Sequence, residues 1–393
     1  MEKRSTVTNL SCFTQDVSEA LDKNKQVDVI YTDFQKAFDQ VDHFILLDKL
    51  HKIGFGSMLL QLFNSYLMGR EQIVRYRNYL SKPFVPTSGV PQGSNLGPLL
   101  FLIFINDLGS SLCCSKLLFA DDLKIYMEIN SIEDCKVLQI CINQLLRWCM
   151  INRLTLNASK CFVMTYSRKL SSLIFDFKIE NLIINRTDTM KDLGVLFDQK
   201  FTFINHIQDV VAKSFKIYGF IYRNCKEFNN IQVLISLYTS LIRTRLEYCS
   251  TVWSPVYEVH IKQLESVQRK FLKFLCFIID GTYPERGYNH SLLLRRFNMN
   301  SLQTRRNMFS VCFLYKLLNN QVDCTLLLEK INFVVPRSNK RQRVTFYCDA
   351  CSTNLLRRSP SFVMCNNYNK ICSKCDIYFD SVKTIKKVIK LTQ

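Results

Sequence analysis

The sequence predicts an α+β chain: a small antiparallel sheet backed by helices, then a helical and basic second half. Three observations predict it. Gln26–Asp39, QVDVIYTDFQKAFD, opens with Val27, Val29 and Tyr31 alternating with Asp28, Ile30 and Thr32, the period of a strand, and turns towards a helix after Asp33. Lys116–Met127, KLLFADDLKIYM, sets two short apolar runs around the adjacent acids Asp121 and Asp122, which reads as a β-hairpin with the acids at its tip. Elsewhere apolar residues recur at three and four, the period of amphipathic helices.

Taken in order, Ser5–Asp22 reads as the end of a helix that leads into the first strand. Val41–Ile53 follows as a helix with Phe44, Leu47 and Leu50 on one side and Gly54 as its cap. A second helix is expected over Ser57–Tyr66. Arg70–Phe84 is extended, basic and aromatic, carrying Arg70, Arg75, Arg77, Tyr76 and Tyr79, and suits either phosphate contact or a solvated strand face. Ser88–Gly97 is a Gly/Pro-rich turn around Pro91-Gln92-Gly93 that opens the apolar core helix Leu96–Ile105. Glu133–Met150 is amphipathic, with Val137, Ile140, Cys141, Leu145 and Trp148 on its stripe, and Trp148 is read as core. Leu193–Phe203 reads as a hairpin around Gly194. Beyond it the pattern is mostly helical, as in Ile231–Arg245 and His260–Ile278. Arg243, Arg245, Lys262, Arg269, Lys270 and Lys273 fall on positions expected to be exposed, and Arg337–Arg343 forms a basic cluster.

Two neighbouring carboxylates repel each other and are costly to take out of water. Alone, an Asp-Asp turn reads as solvated. A second strand end at Asp33 changes that, because a strand-end acid beside a hairpin acid pair is what a two-metal phosphoryl-transfer centre requires. YTDFQKAFD, then Ser88–Leu108 (SGVPQGSNLGPLLFLIFINDL), then Leu117–Asp122 (LLFADD) resemble the successive motifs of a reverse transcriptase of the jockey-like, LINE-type group of non-LTR retrotransposons. Asn152–Ser167 and Lys191–Ile207 follow in the expected order, and the similarity runs from about Ser5 to near the C-terminus.

The resemblance implies RNA-templated DNA synthesis from dNTPs on a DNA primer. It implies a palm over 26–200, a helical thumb over 201–335 and a basic C-terminal segment over 336–393, with 1–25 a remnant of the fingers and palm entry. Asp33 and Asp121 would hold two Mg²⁺ ions (Mn²⁺ as a substitute), with Asp122 assisting and the Phe34 carbonyl a further ligand. Gln92 and Gly93 would contact nucleotide and template, Lys160 would protonate the leaving pyrophosphate, and Phe38, five residues after Asp33, would be the gate against a ribose 2′-hydroxyl. Fingers motifs and an endonuclease domain, which precede this segment in the family, are missing from the sequence. The competing class is therefore a truncated relic that binds RNA or DNA without catalysis. A maturase or telomerase relative shares the palm motifs but fits the FADD and SGVPQGS wording less well.

Composition agrees. Of 393 residues, 48% are apolar and 22% charged, the balance of a globular protein. The net charge of +19 is unevenly spread: residues 1–200 hold 23 bases against 21 acids, and 201–393 hold 29 against 12. That suits an acidic site joined to a part that grips phosphate backbone. The 17 cysteines are scattered and odd in number, and Met1–Asn9 is polar, so reduced thiols and an intracellular location are expected rather than secretion. Leu96–Ile105 is too short to span a bilayer. Cys348-x₂-Cys351 and Cys372-x₂-Cys375 have the spacing of a zinc site, but Cys365 intervenes and the stretch resembles the family's ordinary C-terminal segment, so zinc is not expected there.

Overall fold

The computed structural model describes residues 3–228, 230–335, 344–348 and 350–391. The chain divides into two compact units, one of residues 25–188 and one of residues 1–24 with 189–393. Helix α1 (Thr6–Asp22) starts on a capping box of Ser5 and Thr8 and belongs to the second unit.

The first unit is built on a five-stranded sheet. Strand β1 (Gln26–Thr32) enters it, and α2 (His43–Ile53), α3 (Ser57–Leu67) and α4 (Leu96–Ile105) follow. Next come β2 (Ser115–Phe119), β3 (Asp122–Ile129), α5 (Ile132–Asn152), β4 (Phe162–Tyr166) and β5 (Asn185–Arg186). The spatial order is β2-β3-β1-β4-β5, antiparallel except for the last pair. All seven residues of β1 are buried, the polar Asp28 and Thr32 with the apolar ones. The strand is central and covered on both sides, so its alternation records packing partners and not solvent. Asp28 is consequently buried. It accepts from Gln26 Nε2 at 2.9 Å, and desolvation raises its pKa above the ordinary carboxylate value.

The helices lie where the periodicity places them, but two stripes are rotated. In α2 the buried residues are His43, Leu46 and Leu50, and Phe44 is exposed. In α5 they include Cys135, Leu138, Cys141, Ile142, Leu145 and Trp148, whereas Val137 and Ile140 face solvent. Both helices carry more apolar residues than their covered face can hold, so the pattern fixes a helix without fixing its roll. Trp148 is core as read: its ring meets Phe104 edge-on, and its Nε1–H donates to Asp107 Oδ1 at 3.1 Å. Arg70–Phe84 contains only the exposed two-residue strands Arg75–Tyr76 and Tyr79–Leu80 and a bridge between Gln72 and Phe84.

The second unit is mainly helical. The hairpin Thr189–Asp198 turns at Leu193 and Gly194, both with positive φ. Helix α6 (Ile204–Asn224) follows, then a run over Ile231–Glu247 that widens to a π turn at Tyr238–Arg243. Helices α7 (Glu258–Asp280) and α8 (Leu302–Leu318) complete its centre. Of the bases expected on its surface, Arg245, Lys262, Arg269 and Lys270 are exposed. Arg243 and Lys273 are half-buried, and Lys273 Nζ donates to the carbonyls of Pro284 and Glu285. Arg337–Arg343 lies outside the described residues. No helix among the described residues is long and apolar enough to cross a membrane.

Candidate active site

The site forms where β1 ends beside the start of β3. The register pairs Thr32 with Leu123, and Thr32 Oγ1 donates to the Leu123 carbonyl at 3.0 Å. Asp33 follows Thr32 and Asp122 precedes Leu123, so both acids stand at one end of the sheet, on neighbouring strands whose backbones run about 5 Å apart. Only Asp121 occupies the hairpin turn, together with Ala120; Asp122 is already the first residue of β3, opposite Phe119. Ala120 takes φ +53, left-handed backbone that costs an alanine about 1 kcal/mol. Asp33 and Asp121 are half-buried and Asp122 is exposed. The donors are all carboxylate oxygens, the hard ligands that suit Mg²⁺ or Mn²⁺ and not a thiophilic ion.

Lys160 ends a short turn, Ala158–Lys160, in which Ser159 Oγ donates to Asn157 Oδ1 at 2.7 Å. Its Nζ lies 3.6 Å from Asp33 Oδ2. Both side chains are solvated, so this contact is worth below about 1 kcal/mol to stability. Its consequence is position: it sets a cation beside the acidic strand end.

The loop from Asp33 to Asp42 is clamped from two sides. On one, Asn157 N–H donates to the Asp33 carbonyl and Gln35 N–H to the Thr155 carbonyl, both at 2.8 Å. This bridge pairs Phe34 with Leu156 and leaves the Phe34 carbonyl out of its hydrogen bonds. Farther along, Thr155 N–H donates to Gln40 Oε1, and Arg153 reaches Asp42 Oδ2 at 2.8 Å. On the other side the Ser88–Gly93 turn docks: Gly89 N–H donates to the Val41 carbonyl, Val90 N–H to the Phe38 carbonyl, and Ser88 Oγ to the Asp39 carbonyl. Gln92 Nε2 then donates to Asp39 Oδ1 at 2.7 Å, and the Phe38 ring stacks on Phe101 with centroids 4.4 Å apart.

Gly89 makes this docking close. A Cβ there would sit 2.8 Å from the Asp39 Cα and carbonyl oxygen, at a φ of +88. His43 Nε2 at 2.8 Å and Arg70 at 3.1 Å hold the Gly89 carbonyl. Gly93, at φ +79, has open space around it, so what it supplies is backbone conformation. Gly97 lets α4 start against the Pro91 carbonyl, where a Cβ would come within 2.6 Å. Sequence reasoning named Gln92 and Gly93 but passed over Gly89, Asp39 and His43, and it read Arg70 as a phosphate contact or part of a solvated strand face, not as a partner of the Gly89 carbonyl. A glycine directly before Val-Pro was the one available signal.

Residues 1–221 match the profile of the reverse transcriptase (RNA-dependent DNA polymerase) family. The chain belongs to that family. It is 26% identical over 317 residues to the probable RNA-directed DNA polymerase from transposon BS of Drosophila melanogaster, covering 76% of this chain and 34% of the relative. It is 27% identical over 270 residues to the RNA-directed DNA polymerase from mobile element jockey of Drosophila funebris, covering 65% and 29%. The jockey-like reading of the motifs stands on these relatives. The chain spans about a third of the length of the curated relatives it matches. Among solved structures, a Candida tropicalis telomerase bound to a telomeric RNA fragment aligns over 100% of this chain and 53% of its own, at 11% identity and a TM-score of 0.43. The architecture is that of a reverse transcriptase: an α+β palm sheet, then a helical region. Enzymes of the family use divalent metal ions.

Proposed function

We propose that this reverse transcriptase chain performs RNA-directed DNA synthesis, joining a dNTP to a DNA primer on an RNA template. The observation that supports it is the strand register, which puts Asp33 after the last residue of β1 and Asp121 and Asp122 at the start of the neighbouring β3. In this reading Asp33 and Asp121 bind two Mg²⁺ ions, or Mn²⁺, with Asp122 assisting and the Phe34 carbonyl beside them. Divalent cations, when bound, supply activation of the primer 3′-hydroxyl and neutralisation of the triphosphate. The chain's residues position the reactants: the clamped Asp33–Asp42 loop fixes the acids and the floor under the sugar. As the new P–O bond forms and the bond to pyrophosphate breaks, Lys160 Nζ gives the leaving oxygen a proton. Gln92 and Gly93 face nucleotide and template, and Phe38 meets the sugar at C2′.

Residues 26–200 are the palm in this reading, 201–335 the thumb and 336–393 a basic C-terminal segment, with an intracellular location. Charge supports the grip: residues 25–188 carry 18 bases against 15 acids, and the rest of the chain 34 against 18. The same charge favours a second reading, in which the chain only binds RNA or DNA. Primer extension on an RNA template with Mg²⁺ and dNTPs separates the two. Extension by the wild type, reduced at least about a thousandfold in Asp121→Asn, is expected. Template–primer binding by both proteins with extension by neither would leave only the binder.

A further inference from the structure

Among the described residues, one group of three metal-ligating side chains brings its donor atoms within 4.8 Å of one another, and it lies apart from the acidic strand ends. Cys113 and Cys114 lie just before β2, and Cys141 lies on α5. Cys113 Sγ is 3.3 Å from Cys141 Sγ and 4.0 Å from Cys114 Sγ. Thiolates around a tetrahedral zinc, at a Zn–S distance of about 2.3 Å, stand roughly 3.8 Å apart, a value these separations bracket.

We propose that Cys113, Cys114 and Cys141 form a binding site for a thiophilic d¹⁰ cation, Zn²⁺ or Cu⁺, at the root of the acid-bearing hairpin. Three sulfurs satisfy trigonal Cu⁺. For Zn²⁺ the fourth ligand is water, admitted on the side of Cys113, which is exposed while Cys114 and Cys141 are buried. The surroundings orient the donors. Cys114 N–H donates to Cys141 Sγ at 2.9 Å, and Cys113 N–H donates to Gln144 Oε1 at 3.1 Å, so α5 holds both the third sulfur and the loop that carries the other two. Each thiol releases its proton to solvent as its metal–sulfur bond forms. The ion would tie α5 to the start of β2, whose far end leads into Ala120 and Asp121. The acidic site and this one use different ligands, hard oxygen in one and thiolate in the other.

The test uses the full chain, reduced and stripped of metal, in a Cys348→Ser/Cys372→Ser background so that the C-terminal cysteines do not contribute. Titration with Co²⁺ should raise a thiolate-to-cobalt charge-transfer band that one equivalent of Zn²⁺ removes; a parallel Cu⁺ titration against a colorimetric chelator identifies which ion is held more tightly. Cys113→Ser, an exposed change that leaves the core alone, should weaken binding of the preferred ion at least tenfold. Chelation should lower the melting temperature by several degrees in the background protein and leave that of Cys113→Ser unmoved. Binding of neither ion, or binding unaffected by Cys113→Ser, would overturn the proposal.

Discussion

At the scale of single residues, the acids and some of their companions were legible, while the contacts that hold them in place were not. Asp33, Asp121 and Asp122 announce themselves because each interrupts or ends an apolar run, where a carboxylate avoids the desolvation that Asp28 meets inside β1. Asp39 gives no such signal: it is one acid in a polar loop, and its value comes from Gln92, 53 positions away, donating to it. Phe38 was legible as a bulky residue five positions after Asp33, but its support was not. The ring is held by stacking on Phe101, with planes 28° apart, which fixes it against rotation. Phe38→Ala should therefore open the space at the sugar, and discrimination against ribonucleotides should fall at least about tenfold, roughly 1.4 kcal/mol. Single-nucleotide incorporation with paired dNTP and rNTP substrates checks it; unchanged discrimination would remove Phe38 from the gate.

At the scale of elements, the helices were read correctly but the facing of α2 and α5 was not, and the hairpin expected over Leu193–Phe203 lies earlier, with strands Thr189–Asp192 and Val195–Asp198. The extra apolar residues Phe44, Val137 and Ile140 give two helices more than one candidate stripe, and only their neighbours, α3 and α4 for α2 and the sheet for α5, select the face that is covered. The Ser88–Gly93 turn shows a similar dependence. Its sequence marks a turn, but its role comes from sitting on the Asp33–Asp42 loop at van der Waals distance. Gly89→Ala should push the turn off Asp39 and strain its backbone, destabilising the first unit by about 1–3 kcal/mol. Urea unfolding should show this, and any remaining primer extension should fall with it. Gly93→Ala, with open space around its Cβ, should show the backbone strain alone and cost less.

The hairpin Thr189–Asp198 and α6 share a second such device. The Leu196 N–H donates to His206 Nδ1 at 3.2 Å, and the His206 ring meets Trp253 edge-on, with burial holding its pKa down at about 4. The unfolded chain therefore takes up this proton before the folded one does. The contribution is complete above the ordinary histidine value of 6.5 and is lost as pH falls from there towards about 4, a total of about 3 kcal/mol. His206→Asn keeps an acceptor and removes the titration. The difference in melting temperature between wild type and variant should shrink as pH falls from 7.5 to 4.5, and a constant difference would show that His206 is not the titrating group.

At the scale of the molecule, the sequence by itself determined the α+β class, the order of its elements, the acidic strand ends, the family and the contrast between a near-neutral first unit and a basic second one. These depend on local periodicity, on short motifs and on composition, all of which are complete within a few residues or in a sum over many. Tertiary structure decided the rest. It set α1 with the C-terminal half, buried β1 on both faces, rolled α2 and α5 to their covered sides and half-buried Arg243 and Lys273. It also brought Gly89 onto Asp39 and Cys141 onto Cys113 and Cys114, partners 50, 28 and 27 positions apart. Such pairings arise when strands find their register and helices their roll, through contacts between residues far apart in the chain, and no local pattern records them.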